Sequence, residues 1–431
     1  VRVGDPPAVA LLTDHYELTM VQAARQSGAA DRRCVFEVFA RSLPGRRRYG
    51  VVAGLGRLLD LIPQFRFDAD TVEFLVTAGV VDDATAGWLA SYQFRGSLDA
   101  YREGEVYVPG SPVLVVEGTF AECVVLETLL LSVLNHDSAV ATAAARMVTA
   151  AGGRPCVEMG SRRTHEAAAV AAARAAYIAG FASTSNLAAG AQWGVPTTGT
   201  AAHAFTLVHA GEMTAFRAQV DALGSDTTLL VDTYDVERGI RAAVDAAGPG
   251  LGAIRLDSGD LPTQARRARE LLDELGSTGT RIVVTSDLDE FAIAGLAAAP
   301  VDAYGVGTSV VTGSGVPTAG FVYKLVAREL DGEWAPVQKT SEGKHSVGGR
   351  KWAARRFEGG TAVAEVVSTA GPIEEREDLR PLLDGYVRDG EVVASPALDA
   401  VREHCRHAIA ELPEEAAKLS PGDPAIHLVR A

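Results

Sequence analysis

Between about residues 155 and 310 the chain repeats one texture: a short apolar run, a polar or glycine-bearing loop, then an alanine-rich stretch with helical spacing. Strands that alternate with helices in this way build a parallel sheet, because each crossover needs a helix to return the chain to the same end. In order, the apolar runs centre on Val157, Ala182, Thr198, Leu230, Ile254, Val283 and Tyr304, and they lead into GSRR, TSN, GTAAH, DTYD, DSGD, SDLDE and GVGTS. Parallel α/β architectures place their chemistry at the carboxyl ends of the strands, so these loops should share one face. A barrel would bring them all to one mouth, whereas an open sheet would spread them along an edge. The expectation is an irregular α/β barrel of about seven strands, spanning residues 141–325 and carrying the active site.

The flanks read differently. Residues 1–140 mix helical patterns at 14–27, 50–63, 70–80, 83–92 and 121–150 with the strand-like RCVFEVFA, FRGSLDAYR and PVLVVEGT, an α+β unit. After residue 320 come GFVYKLVAREL, WAPVQKTSEGKHSVGGRKWAARRF, TAVAEVVS and GYVRDGEVV, then a helix near 396–415. Residues 326–431 are expected to pack with the N-terminal unit, since 431 residues exceed the usual single core.

Composition narrows the function. Hydrophobic residues at 47% and charged ones at 22% describe an ordinary globular protein. A net charge of −15 argues against nucleic acid and against an anionic membrane surface, both of which need clustered Lys and Arg. Anionic ligands would have to be held by local arginines, backbone N–H groups and metal ions. Cys34, Cys123, Cys156 and Cys405 lack a C-x-x-C spacing, which disfavours disulfides and zinc and suggests free thiols in a reducing compartment. No leader pattern opens the sequence, and Arg174 interrupts the run EAAAVAAARAAYIAGFA, so a cytoplasmic location is expected.

Several loops carry chemistry beyond the turn. Arg255, within an apolar strand, needs an anionic or aromatic partner near the mouth. Asp257, two residues on and on the same side, could meet sugar hydroxyls, while Ser258 and Asp260 could equally cap the next helix. Gly305 and Gly307 in YGVGTS let backbone N–H groups approach a phosphate, in the loop position where barrels commonly bind one. Ser286 and Asp287 read either as a helix cap or as a second phosphate and metal contact. His203, after Gly199 and Thr200 at a strand end, is placed to act as acid, base or phosphate acceptor. Arg162 and Arg163 bring positive charge to the first loop, where one could clamp a carboxylate. Asp232 and Asp235 could hold Mg²⁺ or cap a helix. Lys339, Lys344, His345, Arg350 and Lys351 gather around glycines as a solvated loop or a basic flap over phosphates. In TDHYELTM, Asp14 stands as N-cap with Glu17 at the reciprocal position of a capping box, leaving His15 and Tyr16 without a local reason.

Taken together, LLTDHYELTM, EMGSRR, TSNLAAG, GTAAHAF, DTYD, LDSGD, SDLDE and YGVGTS followed by YKLVA resemble the nicotinate phosphoribosyltransferase family, from about residue 11 to about residue 390. The resemblance implies a type II phosphoribosyltransferase fold, an irregular α/β barrel beside an α/β sandwich domain built from the N- and C-terminal segments. It implies a ligase-type reaction of NAD salvage, in which nicotinate, 5-phosphoribosyl 1-diphosphate, ATP and water give nicotinate mononucleotide, diphosphate, ADP and phosphate through a phosphohistidine. Matched motif to motif, His203 is the phosphorylated residue and Asp257 holds the ribose hydroxyls. Ser286, Asp287, Gly305, Gly307 and Thr308 take the 5′-phosphate, and Arg255 lies against the pyridine or its carboxylate. Arg162 or Arg163, with Ser185 and Asn186, completes the substrate side, and Mg²⁺ accompanies ATP, with Asp232 as a candidate ligand. Tyr16 would cross a homodimer interface and stack on the electron-poor ring in the partner's site.

Substrate choice follows from charge. In the related nicotinamide enzyme an aspartate sits where this chain has TSN, and an acid there would accept from an amide and repel a carboxylate, so by this resemblance the uncharged Ser185 and Asn186 favour nicotinate. Met159 stands where the nicotinamide relative stacks an aromatic, a departure from the family pattern in one wall of the ring slot. The competing expectations are nicotinamide or quinolinate phosphoribosyl transfer and a non-catalytic nucleotide-binding regulatory module. Quinolinate would require more cations, and a binding module would not require His203.

Overall fold

The computed structural model describes residues 8–339 and 347–431, so Lys344 and His345 of the basic run lie outside the described residues. Two compact units emerge: Val140–Pro317, and Val1–Ala139 together with Thr318–Ala431.

The Val140–Pro317 unit carries six short strands, in chain order Cys156–Glu158, Ser183–Thr184, Thr228–Leu230, Ala253–Leu256, Arg281–Val284 and Ala303–Val306. All neighbouring pairs are parallel, and the spatial order is second, first, sixth, fifth, fourth, third. The last strand therefore returns beside the first, with Tyr304 opposite Cys156, and the sheet is a parallel half-barrel. The seventh strand expected around Thr198 is not formed. It is reduced to a single bridge between Thr184 and Thr197, in which Thr184 N–H donates to Pro196 O and Thr198 N–H to Thr184 O, both at 2.9 Å. Gly194, Pro196 and Gly199 frame that segment and leave no length for a ladder.

Between the strands, the helices bury one stripe each. Leu261–Glu274 turns Leu261, Ala265, Ala268, Leu271 and Leu272 inward at helical spacing. Glu166–Ile178 is buried almost all round, because alanines allow close approach, and its Arg174 lies over the Trp193 ring at 4.9 Å.

The other unit rests on a seven-stranded sheet, in the order Glu333–Pro336, Phe321–Leu330, Arg33–Ala40, Leu114–Thr119, Ser97–Tyr101, Leu383–Arg388, Glu391–Val392. All its neighbours run antiparallel. RCVFEVFA sits near its middle and is buried from Cys34 onward, with Phe36 stacked on Tyr323 at 4.8 Å. Glu37 is tolerated in mid-strand because Lys351 donates to both of its oxygens, at 2.8 and 2.7 Å. A four-stranded sheet of Leu379–Pro381, Trp352–Glu358, Thr361–Ser368 and His427–Arg430 and a two-stranded one of Gly50–Val51 and Val106–Tyr107 belong to the same unit.

Helix His15–Ser27 opens at Asp14, which accepts from Tyr16 N–H, and closes at Gly28 with φ +74°. The capping box is not formed. Glu17 turns away from the Asp14 backbone and accepts instead from Thr128 N–H at 3.0 Å and from the hydroxyls of Thr128 and Thr13. All four cysteines are buried free thiols. Among the described residues one helical run, Phe120–Ala151, is long and apolar enough to cross a membrane, and 67% of its most apolar window is buried within the protein.

Candidate active site

At the carboxyl ends of the first, fourth, fifth and sixth parallel strands lies a cleft of about 290 Å³. Met159, Arg162 and Arg163 line it from the first loop, Arg255 and Asp257 from the fourth strand, and Thr285, Ser286 and Asp287 from the fifth. Gly305, Gly307 and Thr308 close it from the sixth. Both arginines of GSRR face the cleft, and its three arginines outnumber its two aspartates although the chain as a whole is strongly acidic.

The aspartates divide by position. In each of the loops DTYD, DSGD and DLD, the second aspartate is the helix cap: Asp235 accepts from Arg238 N–H, Asp260 from Thr263 N–H, and Asp289 from Phe291 and Ala292 N–H. That leaves Asp232, Asp257 and Asp287 free of capping. Asp257 is fixed by a hydrogen bond from the Thr285 hydroxyl to its Oδ1. Asp232 Oδ2 accepts from Asp257 N–H at 2.8 Å and from the Ser258 hydroxyl at 3.1 Å, while its Oδ1 is buried without a hydrogen-bond partner.

His203 is the first residue of the helix His203–Val208. Its Nδ1 lies 3.1 Å from Thr233 Oγ1, and its Nε2 lies 3.9 Å from Asp232 Oδ1 and 4.0 Å from Asp257 Oδ2. The histidine and these two aspartates thus come together. Arg255 donates from Nη1 to Thr200 Oγ1 at 2.5 Å, and its Nε is buried without a partner. Burial pulls the Arg255 pKa below its ordinary value, Asp257 and Asp232 oppose that shift, and Arg162 adds to it.

In the loop after the fifth strand, Ser286 has φ +140°, a backbone conformation that costs a non-glycine residue and that tends to mark functional loops. Gly305 has no room for a side chain, since a Cβ there would stand 2.5 Å from Thr285 Cγ2 and 2.8 Å from Met159 Sδ.

Ser185 and Asn186 do not line this cleft directly. Asn186 caps Leu187–Trp193 with its Oδ1 and donates from Nδ2 to Ser161 Oγ at 3.0 Å, and Ser185 N–H donates to Glu158 O at 2.8 Å. Tyr16 belongs to the other unit, 44% exposed, with its hydroxyl turned toward Glu127. Burial is the main cause that raises its pKa well above the ordinary value, with Glu127 next. No cluster of three His, Cys, Asp or Glu side chains able to hold a metal occurs among the described residues. The supporting threonines 200, 233 and 285 carry no sequence signal beyond standing near a strand end.

A parallel half-barrel whose strand-end loops converge on an arginine-rich, glycine-lined cleft, with a histidine beside its Asp257, defines an α/β enzyme for small anionic substrates. The model of the nicotinate phosphoribosyltransferase N-terminal domain matches residues 11–135. Nicotinate phosphoribosyltransferase pncB1 of Mycobacterium tuberculosis is 60% identical over 439 residues, covering 99% of this chain and 96% of that protein. The Bacillus subtilis nicotinate phosphoribosyltransferase is 37% identical over 349 residues, covering 79% and 71%. The crystal structure of human nicotinic acid phosphoribosyltransferase matches with a TM-score of 0.84 at 27% identity, covering 97% of each chain. The chain belongs to the nicotinate phosphoribosyltransferase family.

Proposed function

We propose that this protein is an ATP-coupled nicotinate phosphoribosyltransferase of NAD salvage, joining nicotinate to 5-phosphoribosyl 1-diphosphate with a phosphohistidine at His203. The observation that carries the reading is Arg255, half-buried with a buried, unpartnered Nε, in one cleft with Arg162 and with Gly305 and Gly307. Such a cleft suits a ligand that carries both a carboxylate and a phosphate.

Nicotinate needs no general base, because its ring nitrogen already carries the attacking lone pair. The nitrogen bonds to the anomeric carbon as the bond to diphosphate breaks, so catalysis rests on alignment and on stabilising the positive charge that builds on the sugar. Asp257, held by Thr285, keeps Oδ2 for the ribose hydroxyls or for that charge. Ser286, Asp287, Gly305, Gly307 and Thr308 hold the 5′-phosphate, and Arg255 with Arg162 or Arg163 takes the carboxylate. Phosphorylation of His203 adds about one and a half to two negative charges beside Asp232 and Asp257. Mg²⁺ fits that neighbourhood, since the buried Asp232 Oδ1 lacks a hydrogen-bond partner and this ion usually takes one or two carboxylates with water and phosphate oxygens. Bound there, it would neutralise phosphate charge. On the same reading the half-barrel and the Thr184–Thr197 bridge form an irregular barrel, the unit built from both chain ends is its sandwich domain, and the enzyme is a cytoplasmic homodimer with Tyr16 stacked in the partner's site.

The test is mononucleotide formation from nicotinate or nicotinamide with 5-phosphoribosyl 1-diphosphate, with and without ATP. Nicotinate should be preferred, and ATP should leave an acid-labile phosphoryl group that His203→Ala cannot form. Equal product from both bases refutes the specificity, and full ATP stimulation of the variant refutes the phosphohistidine.

A further inference from the structure

Glu158 ends the first parallel strand, is 1% exposed and has no part in the chemistry above. A buried carboxyl is tolerated only where its oxygens are satisfied, and here both are. Oε1 accepts from Gly160 N–H and Oε2 from the Thr184 hydroxyl. The Thr184 oxygen, also buried, in turn accepts from Asn186 N–H at 2.9 Å. Asn186 Nδ2 then donates to Ser161 Oγ, which adjoins both Gly160 and Arg162. The contacts close a ring: Glu158 to Gly160 and Ser161 along the first loop, and back through Asn186 and Thr184 of the second.

We propose that Glu158 and Thr184 are positioning residues that fix the Arg162 loop against the TSN loop, and through them the affinity and preference of the cleft for an anionic pyridine. The proposal rests on the reading of the cleft as a nicotinate site. Its geometry reaches the phosphate wall as well, because a Cβ on Gly160 would stand 2.2 Å from Val311 Cγ1 and 2.8 Å from Gly307 O. The first loop is therefore pressed between the ring and the phosphate-binding turn, with no slack to absorb a shift of Arg162. The amide of Asn186 is held at both ends, its Oδ1 accepting from Ala189 N–H at 2.9 Å and its Nδ2 donating to Ser161 Oγ, so it cannot turn without breaking the ring. Charge supports the same role: burial raises the Glu158 pKa, and the bonds from Thr184 and Gly160 oppose the rise.

The two members can be separated by substitution. Glu158→Gln keeps an acceptor for Gly160 but sets an NH₂ against the Thr184 oxygen, leaving the Thr184 hydroxyl hydrogen without its acceptor. Thr184→Val removes both links of the hydroxyl at nearly constant volume, and Thr184→Ser keeps them. The full-length wild type and the three variants are compared for kcat, KM for nicotinate and nicotinamide, KM for 5-phosphoribosyl 1-diphosphate, and thermal midpoint. Expected are a rise of about tenfold in nicotinate KM for Glu158→Gln and Thr184→Val, a smaller nicotinate preference, a KM for the sugar within about twofold of wild type, and wild-type values for Thr184→Ser. The proposal is overturned if the affected variants lose kcat and both affinities in step with their thermal midpoints, if nicotinate KM and preference do not move, or if Thr184→Ser behaves like Thr184→Val. Wild type that makes no nicotinate mononucleotide would defeat the functional reading itself, a result distinct from these.

Discussion

Replacing Glu17 with glutamine should remove a pH dependence of stability. Glu17 is fully buried, and burial is the largest influence on its carboxyl. Hydrogen bonds from Thr128 and Thr13 oppose that effect, Glu127 adds to it, and the pKa rises from 4.5 to about 7. The other titratable groups that feel Glu17 are Tyr16, Tyr92 and Tyr323, none of them cationic. Because the folded pKa is the higher one, the native state keeps a proton that the unfolded chain releases. The associated stability is complete below pH 4.5 and is lost as pH rises through about 7, and a shift of this size corresponds to about 3 kcal/mol. Glutamine is isosteric and always neutral. Its oxygen can keep the Thr128 bonds, and its NH₂ can donate to Thr13 Oγ1 while that hydroxyl turns to Val125 O, 3.2 Å away. Glu17→Gln should therefore match wild type near pH 5 and exceed it by up to about 3 kcal/mol near pH 8, a gain of several degrees in the melting of the unit that contains it. Thermal melts of both proteins at half-unit pH steps from 5 to 8.5 provide the measurement. Two curves that stay parallel, or a variant less stable than wild type at pH 8, would refute the protonation argument.

Two further changes test the site. Gly305→Ala should raise the KM for 5-phosphoribosyl 1-diphosphate at least tenfold and cost about 1–3 kcal/mol of stability, since its methyl would overlap Thr285 and Met159; steady-state kinetics and a melt read both. Tyr16→Ala should weaken nicotinate binding while leaving ATP-dependent phosphorylation of His203 intact. If Tyr16 serves the partner's site, mixing Tyr16→Ala and His203→Ala subunits should restore sites with both ATP stimulation and wild-type nicotinate KM, a combination neither variant shows alone, and no complementation would place Tyr16 in its own chain's site.

The parallel unit was readable because each of its strands is announced twice, by an apolar run and by the polar loop that ends it. The six strands found lie where those runs are. Thr198 misled because Thr-Thr has strand propensity, while Pro196 and the flanking glycines act on the ladder, a non-local property. The paired aspartates were ambiguous for a similar reason: both members are competent caps, and only the helix start decides that Asp235, Asp260 and Asp289 take that work. Glu17 matched a capping box in its spacing, yet its partner Thr128 lies 111 residues away. Thr200, Thr233 and Thr285 are single residues whose meaning arises only when the strands bring them to Arg255, His203 and Asp257.

The arrangement around His203 gives the proposed ATP coupling a physical direction. A phosphoryl group on His203 would bring its charge among carboxylates that already lie about 4 Å from the ring nitrogen. Two like unit charges at that separation repel by about 4 kcal/mol at an effective dielectric of 20, before solvent screening. On the proposed reading Arg255, which already faces Asp257 and Asp232, offsets part of that repulsion, and further positive charge arriving between the groups would relieve the rest. Two sources can supply it: a divalent cation carried in with the diphosphate, and the sugar itself as its bond to diphosphate breaks. The first recruits substrate and the second arises only in the transition state, so the same crowding of negative charge contributes both to binding and to rate. Neutral nicotinamide would be deprived of neither effect, so on the proposed reading discrimination between the bases falls to Arg255, Arg162 and the loops that hold them.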